Sequence, residues 1–298
     1  METILEISNL YKNYGKIKAV QDLSLKITSG TVFGLLGPNG SGKTTTLGVA
    51  LDVVQKTSGD YQWFGKPPTK EARKKIGAIL ESPAFYPYLS AVNNLKVVAR
   101  IKGTPYNRID AVIEKVGLSE RKNDRYQTYS LGMKQRLAIA SALLSDPHVL
   151  VLDEPTNGLD PQGIADVREL ILKISSEGKT IILASHLLDE VQKVCSHFAV
   201  LNKGKTLYTG SVEETLSNKE SLEVAAPDLE SLQSVVSQYK YCKDAQLGHQ
   251  KIIVHLNNGK TGYDLNSYLV NKGIVVSLLA TERKNLEEQF LEILSQAK

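Results

Sequence analysis

The run Gly37-Pro38-Asn39-Gly40-Ser41-Gly42-Lys43-Thr44-Thr45 limits what this chain can fold into more than any other stretch. From Gly37 to Thr44 it fits G-x-x-x-x-G-K-[ST], the spacing of a phosphate-binding loop. Glycines let the backbone curl until successive N–H groups face one concavity, where phosphate oxygens can be held. Lys43 can reach the β- and γ-phosphates, and the Thr44 hydroxyl can ligate Mg²⁺. Such a loop needs a strand before it and a helix after it. An apolar strand over 31–36 and a helix over 44–53 meet that need, with the positive helix end toward the phosphates. An ordinary glycine-rich turn has no reason for either. The expectation is an α/β fold with a P-loop and a parallel-sheet core, holding a nucleoside triphosphate.

Composition narrows the partners. Of 298 residues, 36 are basic and 32 acidic, a net charge of +4 that is too even for a nucleic-acid surface. Cys195 and Cys242 have no metal-ligand spacing and read as free thiols of a reducing compartment. The opening Met1-Glu2-Thr3-Ile4-Leu5-Glu6 lacks a secretion pattern. No apolar run approaches the roughly 20 residues that cross a bilayer, so in any membrane system another chain does the spanning.

Strands are expected over 4–8 and 23–28, separated by the polar segment 11–16, and again over 75–80 before an aromatic loop at 82–88. Leu95, Val98 and Ile101, then Ile109, Val112, Ile113 and Val116, recur at helix spacing, so about 90–145 reads as a helical insertion. Strand 148–152, helix 161–176 and strand 180–184 imply parallel pairing with a right-handed crossover. Composition changes near 210–227. Beyond it come a strand (222–225), a helix (229–239), strands (245–248 and 252–256), a helix (262–272), a strand (274–280) and a last helix (286–295). The first six have the β-α-β-β-α-β order of a ferredoxin-like unit. Two domains are expected: 1–217, carrying an antiparallel β subdomain beside its parallel sheet, and a small α+β accessory domain over 218–298.

The strand Val149-Leu150-Val151-Leu152 ends in Asp153-Glu154-Pro155. Asp153 is placed to hold Mg²⁺, and Glu154 to polarise a water for attack on the γ-phosphate. In Ser130-Leu131-Gly132-Met133, Ser130 reads as the N-cap of a helix to about 145. The same hydroxyl and unpaired helix N–H groups form an anion site. One chain then has two phosphate-binding surfaces, and two chains face to face could sandwich each nucleotide.

This ordered set resembles the nucleotide-binding subunit of an ATP-binding cassette (ABC) transporter, over about 4–215. Ser130 and Gly132 match that family's signature motif, while Leu131 stands for its first glycine and Met133 for its glutamine. The resemblance implies that Tyr14, with Tyr11 as rival, stacks on adenine. Asp160 in Asn157-Gly158-Leu159-Asp160 couples two sites across a dimer, although alone it would pass for the N-cap ahead of Pro161. His186 senses the γ-phosphate. Glu81 stands where the family has glutamine, touching Mg²⁺ or the lytic water; its other reading is a solvated loop acid. The run Glu81-Ser82-Pro83-Ala84-Phe85-Tyr86-Pro87, the altered signature and the extra C-terminal domain resemble the bacitracin and lantibiotic-immunity branch of exporters, and also ATPases of gliding-motility and copper-site assembly systems.

The resemblance implies a cytoplasmic ATPase at the inner face of the membrane, using ATP and Mg²⁺. It would pair with a second ABC ATPase chain, identical or different, and dock a separate transmembrane permease through its aromatic loop. Two other readings stay open: an ABC ATPase acting on ribosomes or DNA without transport, and an importer ATPase with a regulatory C-terminal domain.

Overall fold

Two long antiparallel strands, β1 (Thr3–Tyr14) and β2 (Ile17–Thr28), open the chain and turn tightly between Tyr14 and Ile17, which pair. Gly15 takes a φ of 58° there, as a two-residue hairpin needs. The polar segment 11–16, expected as a connection, is therefore mostly strand. Backbone pairing holds it extended although most of its side chains face water. The structure, a computed structural model, describes residues 2–80, 85–217, 220–257, 259–283 and 290. The chain divides into two units, the first 211 residues and Val212–Ser295.

In the first unit, β3 (Val32–Leu36) leads into helix α1 (Lys43–Ala50). The helix ends earlier than the sequence suggested because the backbone turns left-handed at Asp52, with φ 62°. β4 (Ser58–Trp63) pairs with β1 and completes a three-stranded antiparallel sheet, β2-β1-β4. After α2 (Lys70–Lys74) and β5 (Ile76–Ile79), the chain forms α3 (Ala91–Lys102), α4 (Ile109–Lys115) and α5 (Leu131–Leu143). It returns through β6 (Val149–Asp153), α6 (Pro161–Ser176), β7 (Thr180–Ser185), α7 (Leu188–Val194), β8 (His197–Asn202) and β9 (Lys205–Ser211).

The second sheet has the order β5-β6-β7-β3-β8-β9, parallel except for β9. Parallel strands covered on both faces need unbroken apolar runs, and β6 shows why its sequence reads so. Val149 and Val151 pack with Leu5, Leu23 and Leu35 in one cluster, while Leu150 and Leu152 are equally buried on the opposite face. Because the strands are parallel, β3, β6 and β7 all finish at one edge. Leu36 pairs with Ser185 and Asp153 with Ala184. Loops leaving that edge converge, the usual placement of ligands in open α/β sheets.

The second unit contains α8 (Val212–Ser217), β10 (Glu220–Ala225), α9 (Leu229–Ser237), β11 (Cys242–Leu247), β12 (Ile252–Leu256), α10 (Gly262–Asn271) and β13 (Leu278–Arg283). Its sheet order β11-β12-β10-β13, wholly antiparallel, is what the β-α-β-β-α-β sequence order implied. Leu222, Val224, Leu232, Val236, Ile252, Val254, Leu265 and Leu269 fill its core. The strand expected over 274–280 begins later, at Leu278, after a left-handed turn at Gly273 (φ 77°). The helix expected over 286–295 lies outside the described residues. Among the described residues, no helix is long and apolar enough to cross a membrane.

Candidate functional site

The loop between β3 and α1 tolerates only glycine at two points. A Cβ at Gly37 would lie 2.3 Å from the Leu201 carbonyl oxygen, and one at Gly42, where φ is 103°, 2.6 Å from that of Ala19. Lys43 is buried, at 5% exposure, and its ammonium is held on three sides. Nζ donates to Gly37 O at 2.7 Å and to Pro38 O at 3.3 Å, and lies 3.3 Å from Glu154 Oε1. Thr44 is exposed in the first turn of α1, where its hydroxyl is accessible. Ser41 Oγ is buried without a hydrogen-bond partner among the described residues, so the loop offers an unsatisfied hydroxyl alongside its amides.

β6 brings two carboxylates to the same edge. Asp153 closes the strand and is buried. Glu154 turns left-handed, with φ 48°, while its N–H donates to Ala184 O at 2.9 Å across to β7. Its Oε2 meets His186 Nδ1 at 2.7 Å and the His186 backbone N at 3.4 Å. A carboxylate that accepts from the ring does so from Nδ1 here, which leaves Nε2 to face another partner. Lys43, Glu154 and His186, 143 positions apart from first to last, thus form one continuous contact.

A cavity of about 540 Å³ opens beside this contact, lined by the loop from Asn39 to Thr45, Glu154 and Tyr14. Tyr11 is not in its lining, so the geometry favours Tyr14 of the two tyrosines. Lys12 Nζ sits 4.5 Å from the centre of the Tyr14 ring. Lys18, Gln21 and Lys203 also line the cavity, and sequence reasoning missed them. Gln21 Nε2 donates to Lys203 O at 2.8 Å, its N–H donates to Gly204 O at 2.7 Å, and Gly204 N donates to Ser41 O at 3.0 Å. The β8–β9 turn is thereby fastened between β2 and the phosphate loop. Only the turn dipeptide Lys203-Gly204 hinted at it, and nothing local connected it to a loop 160 residues earlier.

Ser130, Gly132 and Asp160 lie apart from this cavity. Ser130 Oγ accepts from Met133 N at 3.3 Å and caps α5; Asp160 Oδ1 accepts from Gly163 N at 2.9 Å and caps α6. The two helix starts adjoin each other, since a Cβ on Gly158 would meet Leu131 Cδ2 at 3.3 Å. Glu81 lies outside the described residues. In the aromatic loop, Tyr86 and Tyr88 are exposed, and Asn94 holds the backbone beneath them. Asn94 Oδ1 accepts from Tyr86 N at 2.8 Å, and Nδ2 donates to the Tyr86, Leu89 and Ser90 carbonyls.

Thr44 and Asp153 supply hard oxygen donors of the kind Mg²⁺ takes. That ion uses one or two carboxylates with substrate phosphates and water, and needs no cage of protein ligands. The donor set fits.

Residues 20–157 match the family model described as ABC transporter. The chain is 37% identical to the bacitracin transport ATP-binding protein BcrA of Bacillus licheniformis, over 99% of this chain and 98% of that one. It is 41% identical to the lantibiotic transport ATP-binding protein SrtF of Streptococcus pyogenes, over 72% of this chain and 97% of the relative. Among solved structures, cbiO1 from Clostridium perfringens, part of the ABC transporter complex cbiONQ, superposes with a TM-score of 0.66 at 27% identity. That match covers 80% of this chain and 96% of the other.

Proposed function

The chain belongs to the ABC transporter family as an ATP-binding and ATP-hydrolysing subunit, and from that premise we propose how its residues divide the work. The phosphate loop from Gly37 to Thr45 cradles the triphosphate, with Lys43 on the β- and γ-phosphates and Tyr14 against the base. Thr44 and Asp153 would hold Mg²⁺, with Glu81 as a further oxygen donor; the ion supplies charge neutralisation at the phosphates. Glu154 accepts the proton of the attacking water. His186, its Nδ1 turned to Glu154, keeps Nε2 for the γ-phosphate. The contact joining Lys43, Glu154 and His186 beside the cavity carries this reading.

Ser130, Gly132 and Asp160 act across a dimer. The separation of the Ser130 helix start from the cavity supports this role, because a second chain can present that surface to the first chain's nucleotide. The relatives named for bacitracin and lantibiotic transport support export, with a permease docked at Tyr86 and Tyr88 on the inner face of the membrane. They speak against the importer reading and the reading without transport.

Replacing Glu154 by Gln keeps the shape and removes the base. Hydrolysis should fall roughly 10²–10⁴-fold while ATP still binds. Steady-state phosphate release, measured beside equilibrium ATP binding, checks both halves. A variant that hydrolyses normally moves the base elsewhere, and one that cannot bind ATP makes Glu154 structural.

A further inference from the structure

Glu190 is a buried acid with no part in nucleotide binding or hydrolysis as assigned to the other residues. It sits in the first turn of α7 at 1% exposure. Burial pushes its carboxyl up from the ordinary glutamate value, and a buried carboxylate is costly unless hydrogen bonds satisfy it. Two hydroxyls do so. Ser185 Oγ donates to Oε2 at 2.6 Å, and Thr156 Oγ1 donates to Oε1. Both partners are fully enclosed, Ser185 at 0% and Thr156 at 3% exposure.

The positions of those partners are what matters. Thr156 lies two residues beyond Glu154, and Ser185 immediately precedes His186. Ser185 Oγ also accepts from Leu187 N at 3.0 Å, so the backbone is gripped on both sides of His186. The Glu190 carboxylate is therefore one clamp on two chain segments whose next functional side chains touch at 2.7 Å. We propose that Glu190 is a positioning residue of the hydrolytic site, holding the 154–156 and 185–187 segments in the register that forms the Glu154–His186 contact. This rests on the reading of Glu154 as base. It differs from a role in helix stability, which would leave kcat and KM alone in any variant that folds.

The experiment uses the full chain and measures ATP hydrolysis and ATP binding in parallel. Displacing a catalytic group by about 1 Å costs on the order of 100-fold, so Glu190→Ala should lower kcat roughly 10- to 100-fold and leave KM within about threefold. Glu190→Gln, which can still accept from one hydroxyl and donate to the other, should recover most of that loss. Thr156→Val keeps the shape of the threonine and removes its hydroxyl; it should lower kcat in the same way and covers the case in which Glu190→Ala does not fold. Placed on Glu154→Gln, Glu190→Ala should add little, since the group it positions is already disabled. Full turnover in Glu190→Ala, or in Thr156→Val if the alanine variant does not fold, overturns the proposal. So does a Gln variant as slow as the Ala variant, or a change confined to KM. If Glu154→Gln alone hydrolyses normally, the reading of the base has failed instead, whatever the Glu190 variants show.

Discussion

The two units of this chain keep their polar groups in opposite ways. In the first, Lys43, Asp153 and Glu190 are ionisable side chains with under 7% exposure. Every non-glycine residue with positive φ among the described residues also belongs to it, from Asn9 to Lys203, with Glu154 among them. In the second, the core is aliphatic, and its described buried polar residues are Thr215 and Ser221, neither of them charged. Buried charge and left-handed backbone are each destabilising, and structures retain them where surroundings enforce them for a task. The first unit therefore carries the chemistry at the expense of regularity. Among its described residues the second shows neither a buried charge nor a non-glycine residue with positive φ.

The largest effect that could break this contrast comes from Lys43. Lys43→Ala removes the ammonium and should abolish turnover. A hydrogen bond to a charged group contributes about 1.5–3 kcal/mol, so ATP affinity should fall at least roughly 10-fold. Circular dichroism should still show a folded chain. Normal turnover in the variant would remove the chemical site from the first unit.

An intermediate effect tests the independence of the second. Leu265 is fully buried in its core, and Leu265→Ala should destabilise that unit by about 2–5 kcal/mol. Nucleotide affinity, measured where the first unit stays folded, should not change. A parallel loss of ATP binding would show that the second unit supports the site.

The smallest effect concerns the start of α10. Thr261 and Asp264 form a reciprocal cap, and Lys260 Nζ donates to Asp264 Oδ1 at 2.8 Å. That bond first, then the Thr261 amide and hydroxyl, holds the Asp264 carboxyl down at about 2. A depressed acid contributes its stability above its unfolded value of about 4 and loses it as pH falls through the folded one. Asp264→Asn should lower the melting temperature slightly at pH 7, by an amount that shrinks as the pH falls below about 4 and vanishes only below about 2. A difference that persists unchanged in acid would mean the carboxylate is not what caps the helix.

Legibility divided along physical lines. The phosphate loop was readable because glycine spacing, strand and helix are contiguous, and the close approaches at Gly37 and Gly42 are the reason for that spacing. β6 was readable because burial on both faces writes an unbroken apolar run ending in acids. β4, β8 and β9 had no clear signature: Ser58–Trp63 alternates weakly, and β9 lies half-exposed at a sheet edge. Lys203 and Gln21 were invisible because only the folded sheet brings the β8–β9 turn to β2. Glu190 was invisible in the sequence as well, since burial, not residue type, sets it apart.

The left-handed turn at Glu154 also opposes heat tolerance to turnover. A residue with a side chain in that conformation gives up roughly 1–2 kcal/mol relative to one that adopts it freely, and glycine adopts it freely. Glycine there relieves that strain but gives up the contacts with Lys43 at 3.3 Å and His186 at 2.7 Å, which leaves a buried ammonium with one partner fewer. A library of variants at this position, screened only for survival on heating, should therefore favour glycine over every other replacement of Glu154. On the reading of Glu154 as base those glycine chains would not burn ATP, so thermal selection on this protein needs an activity gate at residue 154.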